Sequence, residues 1–234
     1  MLTNSEIRTI RSLREKKHRD ELGLFVVEGE KMVREALDSD MEVQAVYRIG
    51  DIGEAAMSKI SQLTTPSPVL AVVRRPIPGP VDICRDIYIG LDSVRDPGNL
   101  GTIIRLADWF GVSTVFCSTD CVDAFNPKVV QATMGAIFRV KVVYCDLPAL
   151  CRRFKESGLP VFGTFLDGKN IYTSNLPASG LILMGNESNG IGPEAGAEVD
   201  ERLLIPSFNG SRAESLNVAV ATAVTLSEFR RRLI

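Results

Sequence analysis

Short apolar runs recur along the chain and alternate with stretches of helical periodicity. Apolar runs that end at Gly, Pro, Asn or Asp are typical of buried strands. The following runs predict strands: Leu24–Val27, Val43–Tyr47, Val69–Val73, Ile87–Asp92, Thr114–Cys117, Lys141–Tyr144, Pro160–Phe165, Leu181–Met184 and Leu203–Ile205. Helical periodicity falls near residues 4–19, 31–37, 53–62, 99–110, 126–133, 147–157 and 214–232. This alternation predicts an α/β fold whose mostly parallel sheet is covered on both faces.

A proline-rich stretch divides the chain. Pro76, Pro78, Gly79 and Pro80 stand close together, and neither a helix nor a sheet continues through such a sequence. We therefore expect a small α/β domain over residues 1–75, a linker over 76–82 and a second domain over 83–234. The second domain contains the parallel sheet.

The last predicted helix is apolar on nearly every side. Between Leu216 and Leu226 only Asn217, Thr222 and Thr225 are polar. Such a helix must be buried nearly all round, whereas one sheet covers a single side of it. A partner subunit would supply the second surface. Another helix of the same chain is the alternative.

Composition narrows the class of protein. The 234 residues are 45% hydrophobic and 24% charged, with 27 Lys and Arg against 29 Asp and Glu. A net charge of −2 argues against bulk electrostatic binding to nucleic acid, although it leaves room for a local basic patch. No apolar run approaches the roughly 18 residues of a membrane span. Five Cys without a C-x-x-C pair, and a single His, predict a cytoplasmic protein without metal or disulfides.

The first predicted helix carries the candidate basic patch. It would present cations to RNA phosphates, or it is simply a solvated helix face. The candidate RNA-binding residues are Arg8, Arg11, Arg14, Lys16, Lys17 and Arg19.

The loop after Met184 has a chemical character of its own. It reads Gly-Asn-Glu-Ser-Asn-Gly-Ile-Gly from Gly185 to Gly192, and it has neither the Lys of a P-loop nor the dinucleotide-binding glycine pattern. Glu187 would repel a phosphate. Its carboxylate and the neighbouring Asn side chains suit a ligand with amine, amide or hydroxyl groups. The alternative is a tight turn without a ligand.

Three stretches occur together and in order: N-L-G-T-I-I-R from Asn99 to Arg105, L-M-G-N-E-S-N-G-I from Leu183 to Ile191, and I-P-S-F-N-G-S-R-A-E-S-L-N-V-A-V-A from Ile205 to Ala221. This set resembles the three motifs of the SpoU/TrmH family of RNA ribose 2′-O-methyltransferases, within the SPOUT superfamily. The leading domain, with V-E-G-E-K at Val27–Lys31, is similar to the ribosomal-protein-like substrate-binding domain of many members.

The resemblance implies a C-terminal trefoil knot, S-adenosylmethionine as cofactor, and a homodimer formed through the knotted domain and its C-terminal helix. It implies cofactor contacts at Thr164, Gly185, Asn186, Ile205 and Leu216. It implies that the catalytic residues are Asn99, Arg105, Glu187, Ser215 and Asn217.

The predicted reaction depends on positioning. A methyl group on a sulfonium is already a strong electrophile, so the protein must hold the ribose hydroxyl in line with it. The resemblance implies Arg105 as the base, but a guanidinium is effectively always protonated. We expect Arg105 to bind the target phosphate and polarise the 2′-oxygen.

We expect an RNA ribose methyltransferase that acts on rRNA more than tRNA. The alternatives are tRNA ribose methylation, a non-catalytic RNA-binding protein of the same fold, an RNA base methyltransferase, and a nucleotide-binding enzyme such as a dehydrogenase. The missing glycine fingerprint argues against the dehydrogenase.

Overall fold

The computed structural model describes residues 2–77, 79–186, 188–208 and 214–231, and two compact units emerge from it. The first unit takes residues up to 77 together with 123–139, and the second takes 79–122 together with the residues from 140 onward. The strands in chain order are β1 Leu24–Glu28, β2 Val43–Arg48, β3 Val69–Arg74, β4 Ile87–Leu91, β5 Thr114–Cys117, β6 Lys141–Tyr144, β7 Val161–Asn170, β8 Gly180–Met184 and β9 Glu201–Leu204. The α-helices are α1 Asn4–Ser12, α2 Lys16–Leu22, α3 Glu30–Leu37, α4 Ile49–Ile52, α5 Glu54–Ile60, α6 Pro97–Trp109, α7 Pro127–Thr133, α8 Leu147–Glu156, α9 Pro193–Gly196 and α10 Val218–Arg231.

The described part of the first unit contains a three-stranded antiparallel sheet in the order β1-β3-β2. Apolar side chains of α1, α5, β1 and β3 form its core, since each element turns one apolar face inward. The buried members are Ile10, Leu13, Val26, Met57, Ile60, Leu70 and Val72.

The helix predicted over residues 4–19 is two helices. Thr3 caps α1 in a capping box with Glu6. The helix stops at Leu13, and Glu15 is extended before α2 begins. That extended residue resets the helical phase, so side chains of α2 face other directions than the spacing from α1 predicts.

Residues 123–139 interrupt the second unit and pack with the first. The Phe125 ring lies 4.8 Å from the Phe25 ring of β1, and the Arg75 guanidinium lies 4.8 Å from the Phe125 centroid. This grouping differs from the predicted division, which gave all of residues 83–234 to one domain. Chain order alone does not reveal contacts made by a segment that returns to an earlier unit.

The second unit is built on a parallel sheet, as predicted. In the described residues its six strands run in the order β6-β5-β4-β8-β7-β9, and every strand pair is parallel. β4, β5 and β8 are buried along their whole length because helices cover both faces. Parallel strands bring their carboxyl ends to one edge, where the loops after β4, β7, β8 and β9 collect.

Two helix starts differ from their predictions. α6 begins at Pro97 rather than near Asn99, because the Asp96 side chain accepts a hydrogen bond from the Asn99 backbone N–H at 2.8 Å. α10 begins at Val218 rather than Glu214. The Asn217 Oδ1 accepts hydrogen bonds from the Ala219 and Val220 N–H groups and thereby caps α10. In the described ranges, no helix is both long enough and apolar enough to cross a membrane.

Candidate active site

The first and third sequence motifs meet at the starts of α6 and α10. Asn217 donates from Nδ2 to Asn99 Oδ1 at 2.9 Å, across 118 residues of sequence. Asn99 stands in the first turn of α6. Because α6 and α10 pack together, the cap of one helix is fixed to the first turn of the other. The motif residues of two distant segments therefore share one location.

The loop after β8 is folded around Asn186. The Asn186 N–H donates to the Gly190 carbonyl at 3.0 Å, and the Gly190 N–H donates to the Asn186 carbonyl at 2.8 Å. Its Oδ1 accepts from the Ser188 N–H at 2.9 Å, and its Nδ2 donates to the Ser93 carbonyl at 2.7 Å. The loop is thus a closed turn tied to the loop after β4, which agrees with the turn interpretation and leaves ligand binding open.

Gly185 is sterically required at the start of this turn. A Cβ atom at Gly185 would lie 2.1 Å from the Gly190 carbonyl carbon, far inside contact distance. The turn therefore closes only because the side chain is absent, and it brings the Gly185 backbone close to the sheet edge.

Of the other predicted cofactor residues, Thr164 lies in β7, the strand next to β8 in the sheet, and Ile205 directly follows β9, the strand next to β7. Thr164 is half-buried in β7, and its hydroxyl lies 3.5 Å from the Leu183 carbonyl. β7 pairs with both β8 and β9, so Thr164 stands between the strands that lead to Gly185 and Ile205. Leu216 is 47% exposed immediately before α10.

Arg105 lies on another face of α6. It lines a cavity of about 750 Å³ between α6 and α10. Its neighbours there include Trp109, which is 83% exposed, Tyr172 and the half-buried Val224. Leu106 and Phe110 are half-buried and also line this cavity. Trp109 was missed, although an aromatic residue outside the helix's apolar stripe was a readable signal.

Of the remaining predicted catalytic residues, Ser215 is exposed next to the Asn217 cap. Glu187 lies outside the described residues.

The predicted basic patch is incorrect at Arg19. Arg8, Arg11, Arg14, Lys16 and Lys17 are exposed, whereas Arg19 is only 1% exposed. Its guanidinium donates twice to Asp123 Oδ2, at 2.9 and 2.7 Å, and to the carbonyls of Leu13 and Arg14. The phase change at Glu15 turns Arg19 inward, so this cation cannot reach an RNA phosphate.

A polar network beside the Asn186 turn was not predicted. Asp120 accepts hydrogen bonds from the hydroxyls of Ser118 and Ser93, both at 2.6 Å, and from Arg95 at 3.0 Å. These contacts, the Ser118 hydrogen bond above all, lower the pKa of Asp120 to about 2. No sequence signal marks this network, because its members are common polar residues that only the fold brings together.

A neighbouring thiol joins the same loop. Cys121 Sγ lies 3.2 Å from the Val94 N–H that donates to it and 3.3 Å from the Leu91 carbonyl. Hydrogen bonding from Cys117 lowers the pKa of Cys121 to about 7 despite burial, while the pKa of Cys117 rises well above its usual value. Both thiols are buried, so they pack the wall behind the loop.

Two family models and a full-length relative match the chain. The model of the SpoU rRNA methylase family matches residues 86–227, and that of the MRM3-like substrate binding domain matches residues 4–50. The chain is 32% identical to the 23S rRNA (guanosine(2553)-2′-O)-methyltransferase RlmP of Bacillus subtilis, covering 97% of this chain and 96% of that protein.

Two solved structures resemble the whole chain. A protein of Porphyromonas gingivalis assigned to the TrmH family of RNA methyltransferases has a TM-score of 0.90 and 39% identity, over 99% of each chain. An AdoMet-bound rRNA methyltransferase of Sinorhizobium meliloti has a TM-score of 0.89 and 33% identity, over 100% of this chain and 97% of that one. These matches confirm the resemblance carried by the three motifs. The chain belongs to the SpoU rRNA methylase family.

Proposed function

We propose that this protein transfers a methyl group from S-adenosylmethionine to a ribose 2′-hydroxyl of ribosomal RNA. The observation that carries the proposal is the Asn99–Asn217 hydrogen bond, which joins the first and third family motifs at the open edge of the parallel sheet. Ligands bind at this edge in α/β sheets. Relatives that match nearly the full length act on rRNA, which favours rRNA over tRNA.

The residues at the sheet edge fit a cofactor of this kind. The closed turn that Gly185 permits offers backbone groups, and Ile205 and Leu216 offer apolar surface to an adenine ring. Thr164 and Asn186 add polar groups on either side. When bound, S-adenosylmethionine supplies an electrophilic methyl group on a sulfonium.

The protein's own work is to position the ribose. A guanidinium is effectively always protonated, so we assign Arg105 to holding the target phosphate and polarising the 2′-oxygen, and the hydroxyl proton leaves as the C–O bond forms. Asn99 and Ser215 orient the hydroxyl and the phosphate, while Asn217 keeps the two motif segments in register. Glu187 is assigned a catalytic role by its motif position alone.

Arg105→Lys tests that role. Lysine keeps the positive charge but loses the planar fork that binds a phosphate through two parallel hydrogen bonds. We expect kcat to fall at least about tenfold, since one lost charge-assisted hydrogen bond is worth about 1.5–3 kcal/mol. Near-normal turnover by Arg105→Lys would rule out bidentate positioning.

A homodimer through the second unit completes the proposal. Trp109, Tyr172 and Val224 line the cavity between α6 and α10, and Val220 of α10 is 50% exposed. Apolar side chains on neighbouring helix faces are suited to a partner copy, and the dimer interface would then contain Arg105. Family membership further supports a trefoil knot in this unit, a C-terminal arrangement in which the chain is threaded through its own loop.

We assign RNA binding to the first unit, through the exposed cations Arg8, Arg11, Arg14, Lys16 and Lys17. The match of residues 4–50 to a substrate-binding domain supports this assignment. The five free cysteines support a cytoplasmic setting, where thiols stay reduced.

The experiment is methyl transfer from labelled S-adenosylmethionine to deproteinised 23S rRNA, 16S rRNA and tRNA. Nuclease digestion and mass spectrometry then locate the methyl group. We expect a 2′-O-methyl nucleoside in rRNA only. Label on a base, or on tRNA alone, would overturn the proposed substrate. RNA binding without any binding of S-adenosylmethionine in a calorimetric titration would favour the non-catalytic alternative.

A further inference from the structure

A second cavity opens beside the Asn186 turn, on the side of the loop after β4. It measures about 500 Å³, a size within the range of about 300–1,000 Å³ found for ligand pockets. Its lining residues are polar or glycine apart from one proline. They include Asp92, Ser93, Arg95, Asn186 and Asn189. Of the five predicted cofactor residues, only Asn186 is among those that line it.

The wall of this cavity is fixed by hydrogen bonds. Ser93 has φ of 57°, a conformation that costs a non-glycine residue free energy. The Ser93 N–H donates to Ser118 Oγ at 2.9 Å, and the Ser93 carbonyl accepts from Asn186 Nδ2 at 2.7 Å. Asp92 Oδ2 accepts from the Gly192 N–H at 2.7 Å. The two loops around the cavity are therefore held together before any ligand arrives.

Arg95 is a cation in this wall, and its ion pair with Asp120 is weak enough for a ligand phosphate to replace Asp120 as its partner. The Arg95–Asp120 pair has side-chain exposures of 71% and 44%, and an exposed pair of this kind contributes roughly 0–1 kcal/mol. Asp120 also accepts hydrogen bonds from Ser93 and Ser118, so it keeps two partners when Arg95 leaves. A phosphate can therefore take the guanidinium without leaving a carboxylate unsatisfied.

The chain places this cavity next to the reaction site. Arg95 stands shortly before Asn99, across the Asp96 cap and the first residues of α6. Ser188 and Asn189 are exposed beside it, and their hydroxyl and amide groups match the edges of an unstacked base. We infer that this cavity binds a nucleotide next to the methylated one in the RNA, with Arg95 holding its phosphate. The inference rests on the proposed function.

The test compares Arg95→Ala and Arg95→Gln with a matched control, Arg152→Ala. Arg152 is also an exposed arginine paired to a carboxylate, Glu198 at 2.8 Å, and it is not among the residues that line the cavity. Binding to deproteinised 23S rRNA is measured over a series of salt concentrations, and S-adenosylmethionine binding is measured by calorimetry. Thermal unfolding of each variant accompanies both measurements.

We expect the two Arg95 variants to bind RNA about tenfold more weakly, because a hydrogen bond to a charged group is lost. The slope of log K against log salt should become shallower by about 1 for the lost phosphate contact. Cofactor affinity and the unfolding temperature should stay at the wild-type values, as should all properties of Arg152→Ala. Arg95→Lys should keep the salt slope and lose only part of the affinity.

RNA affinities and salt slopes of both Arg95 variants that equal those of Arg152→Ala would overturn the inference while leaving the proposed function intact. Cofactor binding that falls together with RNA binding would also overturn it, because the cavity would then serve the cofactor loop. A wild-type protein that methylates no RNA would defeat the proposed function itself. Two variants of different shape keep the test decisive if one of them fails to fold.

Discussion

Two arginine–aspartate pairs in this protein have similar nitrogen–oxygen distances and opposite surroundings. Arg19 and Asp123 meet at 2.7 Å in the first unit, with side chains 2% and 5% exposed. Arg95 and Asp120 meet at 3.0 Å in the second unit, with side chains 71% and 44% exposed. Exposure to solvent, and not the pairing itself, therefore decides whether such a pair is structural or can exchange its partner.

Because it is buried, the Arg19–Asp123 pair has a structural role and joins α2 to the segment 123–139. The Arg19 guanidinium makes four hydrogen bonds, two to Asp123 and two to backbone carbonyls, and because it is buried it is closed to a ligand. The second pair stays in water, where its net strength is small and its cation can change partners. The same residue types therefore anchor an inserted segment in one unit and can bind an anion in the other.

The largest effect is expected from Asp123→Asn. Removing the charge of one partner leaves a buried guanidinium uncompensated, which costs about 3–5 kcal/mol. Unfolding in urea, monitored by circular dichroism, should show this loss in the free energy of unfolding. A loss below about 1 kcal/mol, the value of an exposed pair, would mean that burial does not distinguish the two pairs.

The double variant Arg19→Met with Asp123→Leu is the control for that loss. It removes the unpaired charge, so it should be about 1–2 kcal/mol more stable than Asp123→Asn. It should not reach the wild-type value, because the Leu13 and Arg14 carbonyls lose their donor. Equal stability of the two variants would mean that losing the carbonyls' donor costs as much as the unpaired charge.

An intermediate effect is expected at Asn217, whose two functions can be separated. Asn217→Ala removes the cap of α10 and should cost about 0.5–2 kcal/mol of stability. Asn217→Asp keeps an acceptor for the Ala219 and Val220 N–H groups but loses the donor to Asn99. Asn217→Asp should therefore retain the thermal stability and lose methyl-transfer rate. Wild-type turnover by Asn217→Asp would show that the link to Asn99 is not needed for the reaction.

The smallest effect is expected from Asp120→Asn, the same substitution as in the buried pair. At pH 7 it should change the free energy of unfolding by less than about 1 kcal/mol. The pKa of Asp120 is about 2, below its usual value, because of the serine hydroxyls and Arg95. Its stabilising contribution is therefore fully present above about pH 4 and is lost as the pH falls toward 2.

An amide at this position does not titrate, so Asp120→Asn should lose less stability than the wild type as the pH falls from about 5 to about 2. Parallel urea titrations across this range measure the difference. Identical acid profiles would show that Asp120 contributes nothing as an anion to the folded state.

Several elements were readable from the sequence because their signals are local. The strands from Leu24 to Ile205 occur where short apolar runs end at turn residues, and the structure confirms each of them within a few residues. Helix starts were less reliable. At each start a single side chain, of Asp96, Thr3 or Asn217, accepts a hydrogen bond from a backbone N–H of the first turn. Several nearby residues of the same types could have capped the helix equally well.

The misplaced Arg19 shows where local reasoning fails. Its spacing from Arg8 and Arg11 assigns it to one helical stripe, but a single extended residue at Glu15 breaks that phase. Asp123, its partner, lies 104 residues away, in a segment that the chain order assigns to the other unit. No spacing rule connects such positions, because the contact forms only after both segments have folded.

The α/β class, the parallel sheet and the family were readable from the sequence, since these follow from periodicity and from three ordered motifs, and the same motifs supplied the candidate site residues. Only the tertiary structure decided which residues meet. In the folded chain Asn217 donates to Asn99, Arg105 lines a cavity between α6 and α10, and Ser93 and Arg95 donate to Asp120. The physical reason is that charge and hydrogen bonding take their value from burial and from partners distant in sequence, and both exist only in the folded chain.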